Sequence, residues 1–269
     1  MKKLFLNKFF QQLWQDKDPF AEVARLEGDL FREVKTRRTL RLEIAGRGFF
    51  LKHHSGVGWR EILKNLLQFK LPVLGAANEF AAINKLTSLD VPTMTAAAYG
   101  ERYFNPAGRE SFLITEELAN CQSLEDIGRH WPQNTPEFAF KLALIKEIAR
   151  SSGIMHRNNI CHRDCYICHF LLDMASISLP RPRVSVIDLH RAVIWKKLPY
   201  RYKVKDTAGL YFSSMDINLS RRDFYRFMRF YSQKSLRKTL LEDGKFWHDV
   251  ATVARKLYCK EHNRPAPEF

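Results

Sequence analysis

The sequence predicts an α+β fold in two parts, with strands before about residue 118 and helices after it. Residues 40–44 alternate apolar and charged or polar side chains, which is the two-residue period of a half-buried strand. Residues 137–158 instead place apolar side chains at the period of a helix. A polar stretch containing Pro132 and Pro136 separates the two patterns and predicts the boundary between the two parts.

The composition is that of a folded globular protein with a strong excess of positive charge. The 269 residues are 45% hydrophobic and 13% aromatic, which is enough for one large domain or for two lobes that share a cleft. The net charge of +15 favours anionic partners, namely nucleic acid, an anionic membrane, an acidic protein or a phosphorylated substrate, without choosing among them. A disordered chain is excluded by this composition.

No segment approaches the ~18 consecutive apolar residues that span a membrane. Asn7 and Lys8 interrupt the apolar start of the chain and no small-residue cleavage site follows, so we expect the protein to stay in the cytoplasm. The five cysteines are an odd number, and three of them crowd into residues 161–168, which is not typical of a disulfide framework.

The first 27 residues are predicted to be a basic N-terminal segment. Residues 1–14 mix lysines with leucine and phenylalanine. This mixture favours either a short amphipathic helix that lies on a membrane surface or, at least equally well, a frayed basic terminus that packs one apolar face.

An antiparallel meander is predicted to follow, with Gly46-Arg47-Gly48 as the turn before its third strand. Lys52 lies on that third strand. The three strands are expected at residues 30–34, 40–44 and 49–52.

A helix and two further strands complete this N-terminal lobe, which we expect to span residues 28–118. Glu79 and its apolar neighbours fall at helical spacing, and Pro92 indicates that the helix ends near residue 90. The two strands are expected at residues 96–101 and 111–115.

A mainly helical C-terminal lobe is predicted for residues 119–269. The helix of residues 137–158 runs directly into a cysteine-rich loop. A short strand pair is then expected from residues 170–172 and 184–187, and Asp188 follows the second strand. The remainder of the chain is predicted to be basic and helical.

Three arginines, Arg222, Arg226 and Arg229, are predicted to share one face of a late helix whose other face is aromatic and apolar. Such a face is a solvated side of a packed helix or, equally well, a surface for anionic lipid or an acidic partner.

The triplet His162-Arg163-Asp164 matches the catalytic loop of protein kinases. In that template the aspartate accepts the proton of the attacking hydroxyl, and an asparagine five residues later holds magnesium. The fifth residue after Asp164 is His169. The triplet by itself is a weak signal, because three polar residues usually indicate only a solvated loop.

Four polar residues stand in the order that phosphoryl transfer on a kinase fold requires. Lys52 would neutralise the nucleotide phosphates and Glu79 would hold Lys52 in place. Asp164 would position the acceptor hydroxyl and take up its proton. Asp188 would supply oxygen ligands for magnesium. Each position alone is more often a solvated surface residue, whereas the four in order favour a kinase.

The cysteines of the same loop allow other interpretations. Cys161, Cys165 and Cys168 have the C-x3-C-x2-C spacing that holds an iron–sulfur cluster in radical enzymes, and together with His169 they suit a zinc site. Because such enzymes place the motif near the start of a strand–helix barrel, we favour buried packing residues instead. We therefore expect a colourless protein without stoichiometric iron or zinc.

The chain resembles the lipopolysaccharide core heptose kinases of Gram-negative bacteria, which phosphorylate the first heptose of the inner core. The resemblance runs from about residue 18 to about residue 240. Among the segments that carry it, HRDCYICHF is the most specific. These segments are RRTLRLEIAGRGFFLKHH, LPVLGAANEFAAINKL, FLITEEL, HRDCYICHFLL, SVIDLHRA and GLYFSSMDINLSRRD.

The resemblance implies a protein-kinase-like fold that uses ATP and Mg²⁺ at the cytoplasmic face of the inner membrane, with no nucleic acid as partner. It implies Lys52 as the phosphate-binding lysine, Glu79 as its partner, Asp164 as the catalytic base and Asp188 as a metal ligand. It also implies acyl carrier protein as a partner, whose acidity would suit the charge of +15. The hinge that contacts adenine would be Glu116, Glu117 and Leu118.

Two departures from the general kinase pattern affect the expected site. No glycine-rich loop covers the phosphates, and residues 35–39 stand in its place. His169 occupies the position of the second metal ligand, and because imidazole is a poor ligand for Mg²⁺ the number of metal ions stays open. The alternatives to a heptose kinase are a kinase for another core sugar such as Kdo, or a basic, membrane-associated pseudokinase scaffold.

Overall fold

A computed structural model of the chain describes residues 2–34, 37–55, 58–59, 75–102 and 106–268. The chain divides into unit 1, Met1–Lys85 with Met94–Ala119, and unit 2, Leu86–Thr93 with Asn120–Phe269. The predicted α+β class is confirmed, with an antiparallel sheet in the N-terminal part and mainly helices in the C-terminal part. Lys35 and Thr36, which begin the stretch in place of the glycine-rich loop, lie outside these ranges.

One antiparallel sheet forms the centre of unit 1, in the order β1-β5-β6-β4-β3-β2. The predicted meander is confirmed, since β2 pairs with β3 and β3 with β4. The strands are β1 (Lys2–Leu6), β2 (Asp29–Val34), β3 (Arg37–Ile44), β4 (Arg47–Ser55), β5 (Ala96–Arg102) and β6 (Glu110–Glu116).

The alternation of apolar with polar or charged side chains along β3 and β4 determines which face of these strands is buried. Leu51 in β4 pairs with Leu40 in β3, and both side chains lie in the core together with Phe49. Successive side chains of a strand point to opposite faces, so Lys52 lies on the other face of the sheet from Leu51.

The expectation of one amphipathic helix over residues 1–14 is wrong. Residues 2–6 form β1, which pairs with β5 at the edge of the sheet. Asn7 then caps the short helix α1 (Lys8–Leu13) by accepting from the N–H of Phe10 at 3.0 Å. The second interpretation is correct only in part, because residues 2–6 are paired and not frayed, whereas Phe10 and Trp14 do pack into the core of unit 1.

Two helices complete this part of the chain. α2 (Pro19–Arg25) begins at Asp18, whose side chain accepts from the N–H of Ala21, and it packs Phe20 against Phe112 of the sheet with ring centroids 5.1 Å apart. The predicted helix around Glu79 is α3 (Ala77–Ser88).

Unit 2 contains five helices and two small sheets among its described residues. The predicted strand pair is confirmed as β9 with β10, and β7, which was not predicted, pairs with the other edge of β9. Its elements are β7 (Cys121–Ser123), α4 (Leu124–Arg129), α5 (Phe138–Arg157), β8 (Ile160–Cys161), β9 (Phe170–Asp173), β10 (Val184–Val186), β11 (Val193–Ile194), α6 (Tyr200–Ser213), α7 (Arg221–Ser232) and α8 (Leu236–His262).

The core of unit 2 lies between α5, α6, α7 and α8. Ala149 of α5, Ala208 of α6, Tyr231 of α7 and Trp247 of α8 are buried together in it. The small side chains of Ala149 and Ala208 allow close helix packing, and the aromatic rings fill the remaining space. None of the helices in the described ranges combines the length and the apolar character needed to cross a membrane.

Candidate active site

Lys52 and Glu79 form a buried ion pair in unit 1. Lys52 Nζ lies 2.7 Å from Glu79 Oε1, and the glutamate side chain is 1% exposed. Because a buried carboxylate without a partner is strongly destabilising, this contact fixes the position of the Lys52 ammonium group. The second oxygen of Glu79 has no hydrogen-bond partner among the residues that the structure describes.

The predicted hinge residues follow β6. Glu117 accepts two hydrogen bonds from the guanidinium of Arg41, at 2.8 and 2.9 Å, and Glu116 accepts one from Arg47 at 2.8 Å. Gly48 leaves room for the Glu117 carboxylate in this position, because a Cβ there would lie 2.0 Å from one of its oxygens. Arginines therefore bind both of these carboxylates.

The catalytic-loop triplet of unit 2 is held by a residue that sequence reasoning missed. Asp206 of α6 accepts from the backbone N–H of His162 at 2.6 Å and from that of Arg163 at 2.8 Å. Arg163 has a positive φ of 70°, a conformation that non-glycine residues adopt rarely. The two hydrogen bonds therefore stabilise a strained turn directly before Asp164.

Asp206 is a charged group in a buried site, with 2% exposure. Burial acts to raise its pKa, but the hydrogen bonds that the carboxylate accepts from His156 and Cys161 help to hold the pKa below the usual value of 3.8. The carboxylate is therefore ionised at neutral pH. In the sequence, only one feature indicates this role for Asp206. It is a single acidic residue at the start of the small-residue stretch Asp206-Thr207-Ala208-Gly209 of a helix.

His162 connects the catalytic loop to the segment before Asp188. Its Nε2 lies 2.9 Å from the carbonyl oxygen of Ile187, and since a carbonyl only accepts, Nε2 carries the proton. Burial lowers the pKa of His162, so the ring is neutral at pH 7. This hydrogen bond links the loop that contains Asp164 to the segment that precedes Asp188.

The carboxylate of Asp164 is bound by Arg191, which sequence reasoning also missed. Arg191 Nη1 lies 2.7 Å from Oδ1 and 3.0 Å from Oδ2 of Asp164. The Asp164 side chain is 17% exposed and that of Arg191 44% exposed, so the pair is reachable from solvent. Arg191 follows Asp188 by three residues, and only the fold shows that it turns toward Asp164.

Two histidines flank Asp188, which has the left-handed conformation φ 56° and ψ 51°. His190 Nδ1 lies 2.6 Å from Oδ1 of Asp188. His169 Nε2 lies 3.7 Å from Oδ2. His169 Nδ1 lies 2.7 Å from the carbonyl oxygen of Asp164 and donates to it, so in the neutral ring Nε2 carries the lone pair that faces Asp188.

This donor set fits a metal ion held only partly by the protein. Oδ2 of Asp188 and Nε2 of His169 lie 3.7 Å apart, so they would have to move closer to reach the roughly 3 Å that separates adjacent ligands of a six-coordinate ion with bonds of about 2.0–2.1 Å. Within the described part of the chain, no group of three or more histidine, cysteine or acidic side chains is arranged to hold a metal. The remaining ligands would be phosphate oxygens and water, which is how Mg²⁺ is usually bound with nucleotides.

The loop cysteines have the properties of packing residues. Cys161 and Cys165 are 0% and 2% exposed. Burial raises the pKa of both thiols and raises that of Cys168 to about 11. Within the described part of the chain the three thiols, with or without His169, are not arranged to share one metal ion.

Unit 2 also encloses an apolar cavity of about 150 Å³ between α5, α6, α7 and α8. Leu144, Leu210, Phe227 and Val250 line it. Such a lining suits an apolar group and excludes a sugar or a nucleotide, whose polar groups would lose their hydrogen bonds to water there.

Comparison with known proteins finds sequence similarity along nearly the whole chain. The sequence profile of the lipopolysaccharide kinase (Kdo/WaaP) family matches residues 21–231. The chain is 48% identical over 257 residues to the lipopolysaccharide core heptose(I) kinase WaaP of Pseudomonas aeruginosa, and the alignment covers 95% of this chain and 96% of the relative. It is 48% identical over 253 residues to the enzyme of the same name from Escherichia coli, with 94% and 96% covered.

A solved structure, WaaP in complex with acyl carrier protein, has a similar fold. The TM-score is 0.83 at 43% sequence identity, and the superposition covers 95% of this chain and 99% of the other. Similarity of this extent in both sequence and fold leaves no large part of the chain unmatched. The chain therefore belongs to the lipopolysaccharide kinase (Kdo/WaaP) family.

Proposed function

We propose that this chain is a lipopolysaccharide core heptose(I) kinase, which transfers the γ-phosphate of ATP to a hydroxyl of the first heptose of the inner core. The observation that carries the proposal is its 48% identity to the Pseudomonas aeruginosa enzyme of that name over 95% of the chain. The ion pairs around Lys52 and Asp164 give this function a chemical basis.

Asp164 is the group that positions the acceptor hydroxyl and accepts its proton. The hydrogen bonds that Asp206 accepts from the backbone N–H groups of His162 and Arg163 fix the turn before it. Arg191 keeps the Asp164 carboxylate oriented, and its positive charge lies where negative charge of the transferring phosphoryl group would be stabilised. Arg191 therefore acts as a positioning residue for the base.

Lys52 binds the nucleotide phosphates and Glu79 holds its ammonium group in place. The backbone of residues 116–118 contacts the adenine base. These assignments follow from the pairing of Lys52 with Glu79 and from the arginines that bind the carboxylates of Glu116 and Glu117.

Asp188 and His169 hold a divalent cation, and bound Mg²⁺ would neutralise charge on the phosphates. His190 donates to Oδ1 of Asp188 and so directs Oδ2 toward His169. An imidazole ligand favours later first-row metals over Mg²⁺. The cation site should therefore accept Mn²⁺ more readily than a site with asparagine at position 169 does.

His169→Asn should reduce the preference for Mn²⁺ over Mg²⁺ in nucleotide binding by roughly tenfold. The imidazole favours Mn²⁺, and a substitution beside a metal typically changes the metal affinity by at least that factor. The measurement is the dissociation constant of ATP with each metal, followed by calorimetry and by the electron paramagnetic resonance of Mn²⁺. His130→Asn, at an exposed helix end, is the matched control. An unchanged metal preference in His169→Asn would remove His169 from the cation site.

The decisive test of the function is phosphate transfer to defined core acceptors. We expect the protein to phosphorylate a heptose-bearing core and to leave a core without heptose unmodified. Transfer of phosphate to a core that carries only Kdo would favour the alternative function, a kinase for another core sugar. Absence of transfer to both acceptors, with nucleotide binding intact, would favour the pseudokinase scaffold.

An acyl carrier protein is a proposed partner, because the similar solved structure is a complex with one and this chain carries a net charge of +15. The apolar cavity of unit 2 suits part of an acyl chain, since a cavity of about 150 Å³ accommodates a small apolar group. Association through exposed charges should weaken as the Debye length falls from ~10 Å at 0.1 M salt to ~3 Å at 1 M. Co-elution that persists unchanged at 1 M salt would argue for an apolar interface instead.

The site of action is proposed to be the cytoplasmic face of the inner membrane, with the protein bound peripherally. The acceptor is a glycolipid, and an enzyme that modifies it must work where its lipid part is anchored. Separating membrane from cytosol at low salt, and again after a high-salt wash, would test this placement.

A further inference from the structure

An open pocket of about 870 Å³ lies on unit 2, away from the residues assigned to catalysis. It is formed by α5, by the segment before β10 and by the turn between α7 and α8. Glu147 is the one acidic residue among its described lining residues. Its basic lining residues are Lys146, Arg150, Arg181, Arg229 and Lys234.

Internal ion pairs compensate part of this positive charge, since Lys234 lies 3.0 Å from both Glu242 and Asp243. Glu147 is buried between Arg150 at 3.2 Å and Arg181 at 3.0 Å, so one carboxylate is shared by two guanidinium groups. Lys146 and Arg229 lie over the ring of Phe230, at 5.5 and 5.7 Å from its centroid. Within the part of the chain that the structure describes, neither of these two cations forms an ion pair, and both are exposed.

Exposed leucines adjoin the pocket on α8. Leu236 lines the pocket, and Leu240 lies one turn further on the same helix face. Leu240 is 44% exposed and the adjacent Leu241 is 77% exposed. The combination of unpaired cations with exposed leucines is what an anionic bilayer surface binds, because phosphates meet the cations and leucines enter the acyl boundary. We call this surface, with its basic pocket, the α7–α8 corner.

The predicted surface of three arginines on α7 is only partly realised. Arg226 donates to the buried Asp223 at 2.7 Å and lies over the ring of Phe138 at 4.8 Å, so its charge is used inside unit 2. Arg229 lines the basic pocket. The basic pocket therefore extends from Arg229 toward α5 and α8, and Arg222 remains exposed on α7.

We propose that the α7–α8 corner docks the protein on an anionic membrane by binding phospholipid phosphates. The inference rests on the proposed function, since a kinase for a glycolipid acceptor gains effective concentration when it is held on the same membrane. The positive charge of the corner favours an anionic surface. The exposed Leu240 and Leu241 favour a bilayer over an acidic protein, because leucine side chains can enter the acyl boundary.

The docking is tested by vesicle binding of the full chain. Wild-type protein should co-float with phosphatidylcholine vesicles that contain phosphatidylglycerol and should not bind vesicles of phosphatidylcholine alone. Lys146→Ala/Arg229→Ala should weaken binding by about fivefold for each cation removed. Leu241→Ser should also weaken binding, without any change in charge.

A matched double variant controls for net charge. Lys256 and Lys260 are exposed near the far end of α8, so Lys256→Ala/Lys260→Ala removes the same charge from a different place. This control should bind anionic vesicles nearly as well as wild type. Equal losses in both double variants would overturn the proposal, because they would show that only total charge matters.

Activity measurements separate docking from catalysis. Lys146→Ala/Arg229→Ala should phosphorylate a lipid-free, heptose-bearing core oligosaccharide at the wild-type rate and a vesicle-embedded acceptor more slowly. Absence of transfer to either acceptor by wild type would refute the proposed function, while vesicle binding would still decide the docking. Retained vesicle binding with loss of acyl carrier protein association would assign the corner to a protein partner and overturn the proposal.

Discussion

Asp164→Asn should bind nucleotide normally and lose phosphate transfer by about 10²–10⁴-fold, which is the typical contribution of a positioned general base. The amide retains the shape of the carboxylate but cannot take up the proton of the heptose hydroxyl. Lys52 with Glu79 and Asp188 with His169 are unchanged in this variant, so thermal stabilisation by ATP and Mg²⁺ should equal that of wild type.

Asp188→Asn is the comparison that separates the two roles. The amide loses the negative charge that binds the cation, so nucleotide-dependent stabilisation should fall together with transfer. If Asp164→Asn folds and transfers phosphate at the wild-type rate, Asp164 is not the base. If Asp188→Asn binds ATP and Mg²⁺ as tightly as wild type, the cation is held elsewhere.

Asp206→Ala should lower the free energy of unfolding by about 3–5 kcal/mol, the usual cost of removing one partner from a buried charged network. The backbone N–H groups of His162 and Arg163 would lose their acceptor, and His156 would lose its carboxylate partner. Chemical denaturation measures the loss. Asp206→Asn, which keeps one acceptor oxygen, should lose less and serves if the alanine variant does not fold.

The difference in free energy of unfolding between wild type and Asp206→Ala should decrease as the pH falls. The folded chain holds the pKa of Asp206 below its ordinary value of 3.8, so the unfolded chain takes up this proton first as the pH falls. The contribution is complete above pH 3.8 and is lost as the pH falls through the folded pKa. A difference that instead grows below pH 3.8 would contradict an ionised Asp206 in the fold.

Much of unit 1 and the helix α5 are predictable from the sequence because their signals are local. The alternation in residues 40–44 and 49–52 reports the buried face of each strand directly. Glu79 lies in the first turn of a helix that the spacing of its apolar residues predicts, and its pairing with Lys52 follows once the strand and the helix are placed. The HRDCYICHF motif indicates both the loop and the family.

Residues 1–14 show where local signals fail. Their composition suits an amphipathic helix, but Lys2–Leu6 pairs with Ala96–Arg102, about 90 residues away in the chain. The backbone hydrogen bonds of a sheet edge outweigh the weak helical preference of a short segment. A periodicity argument contains no information on which distant strand is available.

The α+β class, the order of Lys52, Glu79, Asp164 and Asp188, and the family can thus be predicted from local patterns and motifs. How the catalytic loop is held is visible only in the folded chain, because Asp206 contacts His162 across 44 residues and Arg191 contacts Asp164 across 27. The folded chain also shows that His169 faces Asp188. These contacts depend on how α6 and the loop after β10 pack against the catalytic loop, and side-chain direction in packed elements is fixed by three-dimensional neighbours that spacing along the chain does not specify.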